Sequence, residues 1–273
     1  MARPVLKWAG GKRRLRFEID KLLPPDHKER NYHEPFFGGG ALFFHLEPRG
    51  GSINDVNERL IRFYEVVTER PEDLIEEVSR YEYGKEQYYE LRDRFNEEEL
   101  GPVEEAAIFL YLNKTGYNGL YRVNSKNKFN VPFGRYKKPT IVHPDRIMRA
   151  SELFSRFKIS CGRFTYVKEA AGEGDLVYLD PPYLPLSDTA DFTAYSKLGF
   201  GLGDHMLLRD LCLELDEKGV YFIQSNSFVE PIMEAYRDTE FIIHTVEVSR
   251  AINRVITDRG RIPEVLITNI PNV

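Results

Sequence analysis

Cysteine is almost missing from this chain of 273 residues: Cys161 and Cys212 are the whole complement. Two cysteines cannot build a disulfide framework, and nothing resembles a Cys/His zinc spacing, so no metal is expected. No run approaches the roughly 20 apolar residues of a membrane-spanning helix. The opening MARPVLKWAGGKRRL has no apolar stretch of the kind a secretory signal needs. The expectation is a cytoplasmic protein with no membrane partner. Two nucleotide-binding motifs are missing as well, the G-x-G-x-x-G fingerprint and the lysine-bearing P-loop, which argues against a nucleotide-dependent oxidoreductase. No repeat or low-complexity tract marks a solenoid. Apolar residues at 42% and aromatics at 13% are enough for a packed core, so wholesale disorder is excluded.

The net charge of -5 hides a segregation. From Lys114 to Lys138 there are seven basic residues and no acidic one, whereas Glu65 to Glu105 holds fifteen acidic residues against five basic. Fields between exposed charges fade beyond about 8 Å at physiological salt, so a locally basic stretch can bind a polyanion on an acidic protein. The bland alternative is a solvated basic loop.

Patterning divides the chain into parts. Residues 1–60 read as α/β, with a strand before Phe36-Phe37-Gly38-Gly39-Gly40, a helix from about Ala41, a strand through Ile53 and a helix capped by Asp55 or Asn57. Residues 60–115 read as helical; Leu74, Val78 and Tyr81 follow helical spacing. Alternation at Tyr121 and Val123, and again at Phe129, Val131 and Phe133, predicts a β-hairpin near 117–138 with a basic tip. Beyond it, FTYV, DLVYLD, GVYFIQSN and PEVLITN read as buried strands, with a helix around His205–Leu215. The expected domains are therefore a catalytic one, 1–60 with 155–273, and a recognition insertion, 61–154.

Four motifs carry chemistry. The glycine turn Gly38-Gly39-Gly40 lets backbone approach a ligand at a helix start, although an ordinary tight turn explains it too. Asp55, at the next strand end, can accept from both ribose hydroxyls of a nucleoside cofactor, or merely cap the next helix. The segment Lys7-Trp8-Ala9-Gly10-Gly11-Lys12 suggests no role by itself. The fourth is Asp180-Pro181-Pro182-Tyr183, directly after the apolar run Leu176-Val177-Tyr178-Leu179. Two prolines end the strand in a stiff turn. A carboxylate, a carbonyl and an aromatic face then suit a planar ring with an exocyclic amine. Asp180 and the Pro181 carbonyl can each accept one amino hydrogen, and Tyr183 can stack. Preorganised acceptors of this kind stabilise the positive charge that develops on such a nitrogen.

Taken together, KWAGGK, EPFFGGGA, the Asp of INDVNERL, the stretch NKTGYNGLYRVNSKNKFNVPFGRYKKP, DPPY and the SNS after a late strand resemble the Dam-like, D12-class adenine-N6 DNA methyltransferases. The resemblance runs from about Lys7 to at least Ser227. It implies a Rossmann-like S-adenosylmethionine-dependent methyltransferase sheet carrying a helical and β-hairpin recognition insertion. It further implies that Trp8, Lys12, Phe37, Gly38, Gly39, Gly40 and Asp55 contact S-adenosylmethionine, with Phe164 beside its adenine and Asp180 shared between cofactor and target. Arg122, Asn124 and Lys126 would reach bases of double-stranded DNA, and Arg135, Lys137 and Lys138 its phosphates. Tyr117 and Asn118 would fill the gap left by an extruded adenine. Direct methyl transfer needs no cysteine nucleophile. The segments NGLYR and FNVPFGRYKKP look close to those of GATC-methylating members. Open alternatives are RNA or a protein amide as substrate, a DNA reader with a dead catalytic core, and a cognate restriction endonuclease as partner.

Overall fold

The computed structural model describes residues 2–8, 15–184, 200–249 and 261–271. Among these, seven strands form one sheet: β1 (Tyr32–Glu34), β2 (Gly51–Asp55), β3 (Phe157–Cys161), β4 (Leu176–Leu179), β5 (Tyr221–Ser227), β6 (Ile242–Ser249) and β7 (Arg261–Thr268). Their order is β3-β2-β1-β4-β5-β7-β6. Strand β4 pairs in parallel with β1 and β5, while β7 is antiparallel to both β5 and β6. The order reverses between β1 and β4. That switch point is where open α/β sheets take ligands, at the strands' carboxyl ends. Glu34 ends β1, and Asp180 follows β4.

The helices are α1 (Arg16–Asp20), α2 (Phe43–Leu46), α3 (Glu58–Glu69), α4 (Pro71–Ser79), α5 (Lys85–Glu97), α6 (Pro102–Thr115), α7 (Pro144–Phe154), α8 (Val167–Ala170), α9 (Leu202–Glu217) and α10 (Glu230–Ala235). The chain divides into two compact units. The first comprises Met1–Lys12, Phe37–Pro48 and Ile53–Gly162; the second Arg13–Phe36, Arg49–Ser52 and Arg163–Val273.

In the first unit α6 is buried from Ala106 to Thr115, and its apolar run Ala106 to Leu112 is what a central helix requires. Helices α3, α4 and α5 pack on it, each through a single apolar face. The Phe154 ring stacks on Phe43 at 5.2 Å and meets Phe37, Phe44 and Tyr64. In the second unit Val177, Leu179, Phe222, Val265 and Ile267 of the sheet pack against Leu208, Leu211, Cys212 and Leu215 of α9. Strand β4 is buried at every position, which is why it reads as a continuous apolar run.

Three local expectations change. FTYV is not a strand: Phe164–Tyr166 forms a 3-10 turn leading into α8. Helical spacing lets both Phe164 and Val167 reach the core, and that packing overrides β-propensity. The helix expected from Ala41 starts at Phe43. The hairpin forms without regular strands, held by the isolated bridges Gly116↔Phe133 and Val123↔Phe129. Pro132 has no N–H to extend the ladder.

Replacing Phe154 by Ala should cost about 3–5 kcal/mol, because a fully buried ring with four aromatic neighbours leaves a void that cannot collapse. Urea unfolding of the variant measures it.

Candidate active site

The first unit holds the glycine turn and Asp55. Gly38 sits at φ +49°, a left-handed conformation. A Cβ at Gly38 would come within 2.9 Å of the Trp8 indole, and one at Gly39 within 2.7 Å of the Trp8 Cβ. The glycines thus let Trp8 lie against the turn, and Trp8 in turn stacks on Tyr121 at 5.7 Å. Tyr64 donates to the Gly38 carbonyl at 2.8 Å, tying the turn to α3. Asp55 accepts from the Gly38 N–H and from the Asn57 N–H, both at 2.9 Å. Burial pushes its carboxyl pKa up, against those backbone donors. Asn57, not Asp55, caps α3 by accepting from Leu60.

Trp8, Gly38, Gly39 and Asp55 therefore lie together in the first unit. Phe37 does so only through its backbone, since its ring is buried against Phe43, Tyr64 and Phe154. Lys12 lies outside the described residues. Val56 was missed by sequence reasoning; it follows Asp55 and is 79% exposed, an apolar surface at the strand end.

The same unit carries the basic segment. Tyr117 and Asn118 sit exposed on a 3-10 turn, Asn118 at φ 54°. Arg122 donates to the side chain of Asn130 at 2.7 Å. Asn124 Oδ1 accepts from the Lys126 and Lys128 N–H groups, so this side chain closes the hairpin turn. Lys126, Arg135, Lys137 and Lys138 are exposed. Two other basic residues are occupied. Lys128 pairs with Glu97, and Lys114 is buried, donates to the Val5 carbonyl and has a pKa lowered to about 8 by burial, with Lys7 and Arg146 adding to it.

The second unit holds the Asp-Pro-Pro-Tyr turn. Ser225 Oγ donates to Asp180 Oδ1 at 2.6 Å, a short charge-assisted bond from the neighbouring strand. Tyr178 lies 3.3 Å from the same hydroxyl. Tyr183 donates to Glu264 Oε2 at 3.3 Å, and Tyr32 to Glu34 Oε2 at 2.8 Å. Burial first, then the Asp180 charge, pushes the Tyr183 and Tyr178 phenols well above their ordinary range. Pro181 is buried and Pro182 exposed. Phe164 is buried, with Phe36 stacked on it at 5.1 Å and Phe200 at 5.8 Å.

Sequence reasoning also missed Glu34, Glu264 and His205. The available signal was polarity inside apolar strands: Gln224, Ser225, Asn226 and Ser227 are all buried on β5, and buried polar groups need partners. His205 Nδ1 accepts from Asn226 Nδ2 at 3.3 Å, which places its proton on Nε2. Burial lowers its pKa to about 4, with the Pro182 carbonyl acting the other way. The trio Ser52, His33 and Asp175 lines up at 2.7 and 3.1 Å, but Ser52 and His33 are buried, so it offers no accessible nucleophile. Among the described residues no group of three or more His, Cys, Asp or Glu side chains could hold a metal ion, and no helix is long and apolar enough to cross a membrane.

The seven-stranded sheet, whose order reverses between β1 and β4, has a Rossmann-like methyltransferase fold. Residues 8–252 match the family model for the D12 class N6 adenine-specific DNA methyltransferases. The chain is 44% identical to the type II methyltransferase M1.LlaDCHI of Lactococcus lactis subsp. cremoris, over 99% of this chain and 96% of the relative. It is 43% identical to the type II methyltransferase M.MjaIII of Methanocaldococcus jannaschii, over 83% and 84% of the two chains. To the DNA adenine methylase of Escherichia coli K12 it is 34% identical, over 99% and 96%. The chain belongs to the D12 class and is an adenine-specific DNA methyltransferase.

His205 sets a pH dependence of stability. In the unfolded chain it takes a proton near 6.5, and in the folded protein only near 4, so the unfolded state binds the extra proton between those values. The stability linked to this group is complete above pH 6.5 and is lost as pH falls toward 4, by about 3 kcal/mol. Urea unfolding between pH 7 and 4 should show a shallower decline for His205→Phe than for the native chain.

Proposed function

We propose that the chain transfers a methyl group from S-adenosylmethionine to N6 of an adenine swung out of double-stranded DNA, within GATC. The observation that carries this reading is the Asp180 carboxylate, held by Ser225 at the end of β4 beside a proline-fixed carbonyl and Tyr183. When bound, S-adenosylmethionine supplies an activated methyl group. The first unit fits such a cofactor. Asp55 is half-buried at a strand end and oriented by two backbone N–H groups, and each of its oxygens has a second lone pair suited to a ribose hydroxyl. Val56 offers an adenine an apolar face. Trp8 and Gly38 to Gly40 are assigned to the rest of the cofactor, with Lys12 and the Phe37 backbone as further contacts. Phe164 serves as part of an aromatic wall.

On the target side, Asp180 and the Pro181 carbonyl accept the two amino hydrogens. Two acceptors favour a pyramidal nitrogen whose lone pair has left the ring's conjugation, and they stabilise the charge it acquires. Tyr183 stacks on the purine; its phenol stays protonated because burial and the neighbouring carboxylates disfavour an anion. Extrusion of a paired adenine costs a few kcal/mol. We assign Tyr117 and Asn118, exposed at the tip of a turn, to the vacated space. Residues 61–154 form the recognition part. Lys126 is assigned to bases, Arg135, Lys137 and Lys138 to phosphates, and Arg122 and Asn124 to bases once their contacts within the hairpin are exchanged. The names of the Lactococcus and Methanocaldococcus relatives support a restriction-protective role with a cognate endonuclease.

The test is sequencing of modified bases in plasmid DNA from cells expressing the chain, which should report N6-methyladenine in GATC; adenines left unmodified would refute the reading. With labelled donor, duplex DNA should be methylated while RNA and protein are not. Asp180→Ala should cut incorporation by about 10²-fold or more, by comparison with loss of an oxyanion-hole donor. Asp55→Ala should weaken donor binding in calorimetry while leaving duplex binding intact.

A further inference from the structure

The Ser225-Asn226-Ser227 triplet at the end of β5 touches the active turn at more than one point. Ser225 Oγ donates to Asp180 Oδ1 at 2.6 Å. Ser227 Oγ donates to the Leu184 carbonyl at 3.1 Å. Alternation along a strand puts these two serines on one face of the sheet. Glu264 of β7 lies directly opposite Ser227 in the antiparallel register, so its side chain leaves from that same face. It is there that Tyr183 donates to Glu264 at 3.3 Å. The turn from Asp180 to Leu184 is thus bonded at its first, fourth and fifth residues. Ser225, Ser227 and Glu264 are all buried, at 0%, 1% and 5% exposure. The intervening Asn226 points to the opposite face and reaches His205 of α9. Gln224 shares that face and accepts from Tyr236 at 2.5 Å.

Ser225, Ser227 and Glu264 are polar side chains buried in the sheet, and their burial carries a desolvation cost that apolar residues would avoid. Apolar residues there would still pack, but could not orient the turn. Prolines stiffen the backbone of the turn; they do nothing for the rotation of the Asp180 carboxylate about its own side-chain bonds. A hydroxyl donating to one oxygen fixes that plane. Hydrogen bonding to the charged form also favours it over the protonated acid.

We propose that Ser225, Ser227 and Glu264 form a clamp on the active turn, in which Ser225 is the positioning residue that fixes the Asp180 carboxylate plane and keeps it ionised. Ser227 and Glu264 hold the far end of the turn, so that the Tyr183 ring keeps its place relative to Asp180. The proposal rests on the methyltransferase reading of this turn.

The experiment is single-turnover methyl transfer to duplex DNA with labelled donor, followed against pH, with equilibrium binding of donor and duplex measured separately. Ser225→Ala should slow the transfer step by up to about 10²-fold, the scale of a displaced reacting group, with both binding constants unchanged. Its acid limb should move to higher pH by about one unit, since the carboxylate has lost a donor. Ser225→Thr, which keeps the hydroxyl, should restore the limb. Ser227→Ala should slow transfer without moving the limb, because it touches the Leu184 carbonyl and not the carboxylate. Tyr183→Phe and Glu264→Met should be non-additive in a double-mutant cycle, since both remove one contact. A Ser225→Ala enzyme with native rate and limb, or one slowed without any shift of the limb, overturns the positioning role. Should Ser225→Ala fail to fold, the near-isosteric Ser225→Cys, a weaker donor, must show the same shift or the proposal falls. An inactive native chain would refute the methyltransferase reading; an active one with an indifferent Ser225→Ala would refute only the clamp.

Discussion

A half-buried carboxylate has to be held by something before it can do chemistry, and the bond from Ser225 to Asp180 is where that requirement is met. Asp180 follows a strand whose four residues are all buried, so its charge sits at the edge of an apolar layer. A hydroxyl donated by the protein favours the charged form of such a group. The sheet supplies the donor from the adjacent parallel strand, because β5 runs beside β4 in register and changes from apolar to polar at the same height.

The first unit uses a related device at Asp55. There the donors are backbone N–H groups of Gly38 and Asn57, and the carboxylate ties the glycine turn to the head of α3. Burial and donor bonds oppose each other at this site, and burial prevails in the direction of the pKa. The two units thus each present one oriented acid at the end of a strand, with the orienting group coming from a neighbouring segment of chain.

The basic segment shows how far charge counting departs from surface chemistry. Lys114 and Lys128 count among the seven basic residues, yet one is buried on a backbone carbonyl and the other is paired with Glu97. The side chains of Arg122 and Asn124 are engaged in shaping the hairpin itself. Exposed cationic character is left to Arg122, Lys126, Arg135, Lys137 and Lys138, spread along the segment from turn to exit.

Much of the architecture was legible beforehand because it depends on local pattern. The apolar run before Asp180, the helical periodicity through residues 60–115 and the glycine turn after β1 each report a neighbourhood of only a few residues. FTYV shows the limit: four residues of high β-propensity became a 3-10 turn because Phe164 and Val167 both had core to fill. The sequence by itself determined the family, the strand ends that carry Asp55 and Asp180, and the stiffness of the proline turn, since these follow from residue order and backbone chemistry. Only the tertiary structure decided that Asn57 rather than Asp55 caps α3, that Trp8 fills the space the glycines leave, and that Ser225, Ser227 and Glu264 face the turn. The last of these pairings join residues from 43 to 81 positions apart, and strand register, which no local pattern specifies, sets which side chains meet.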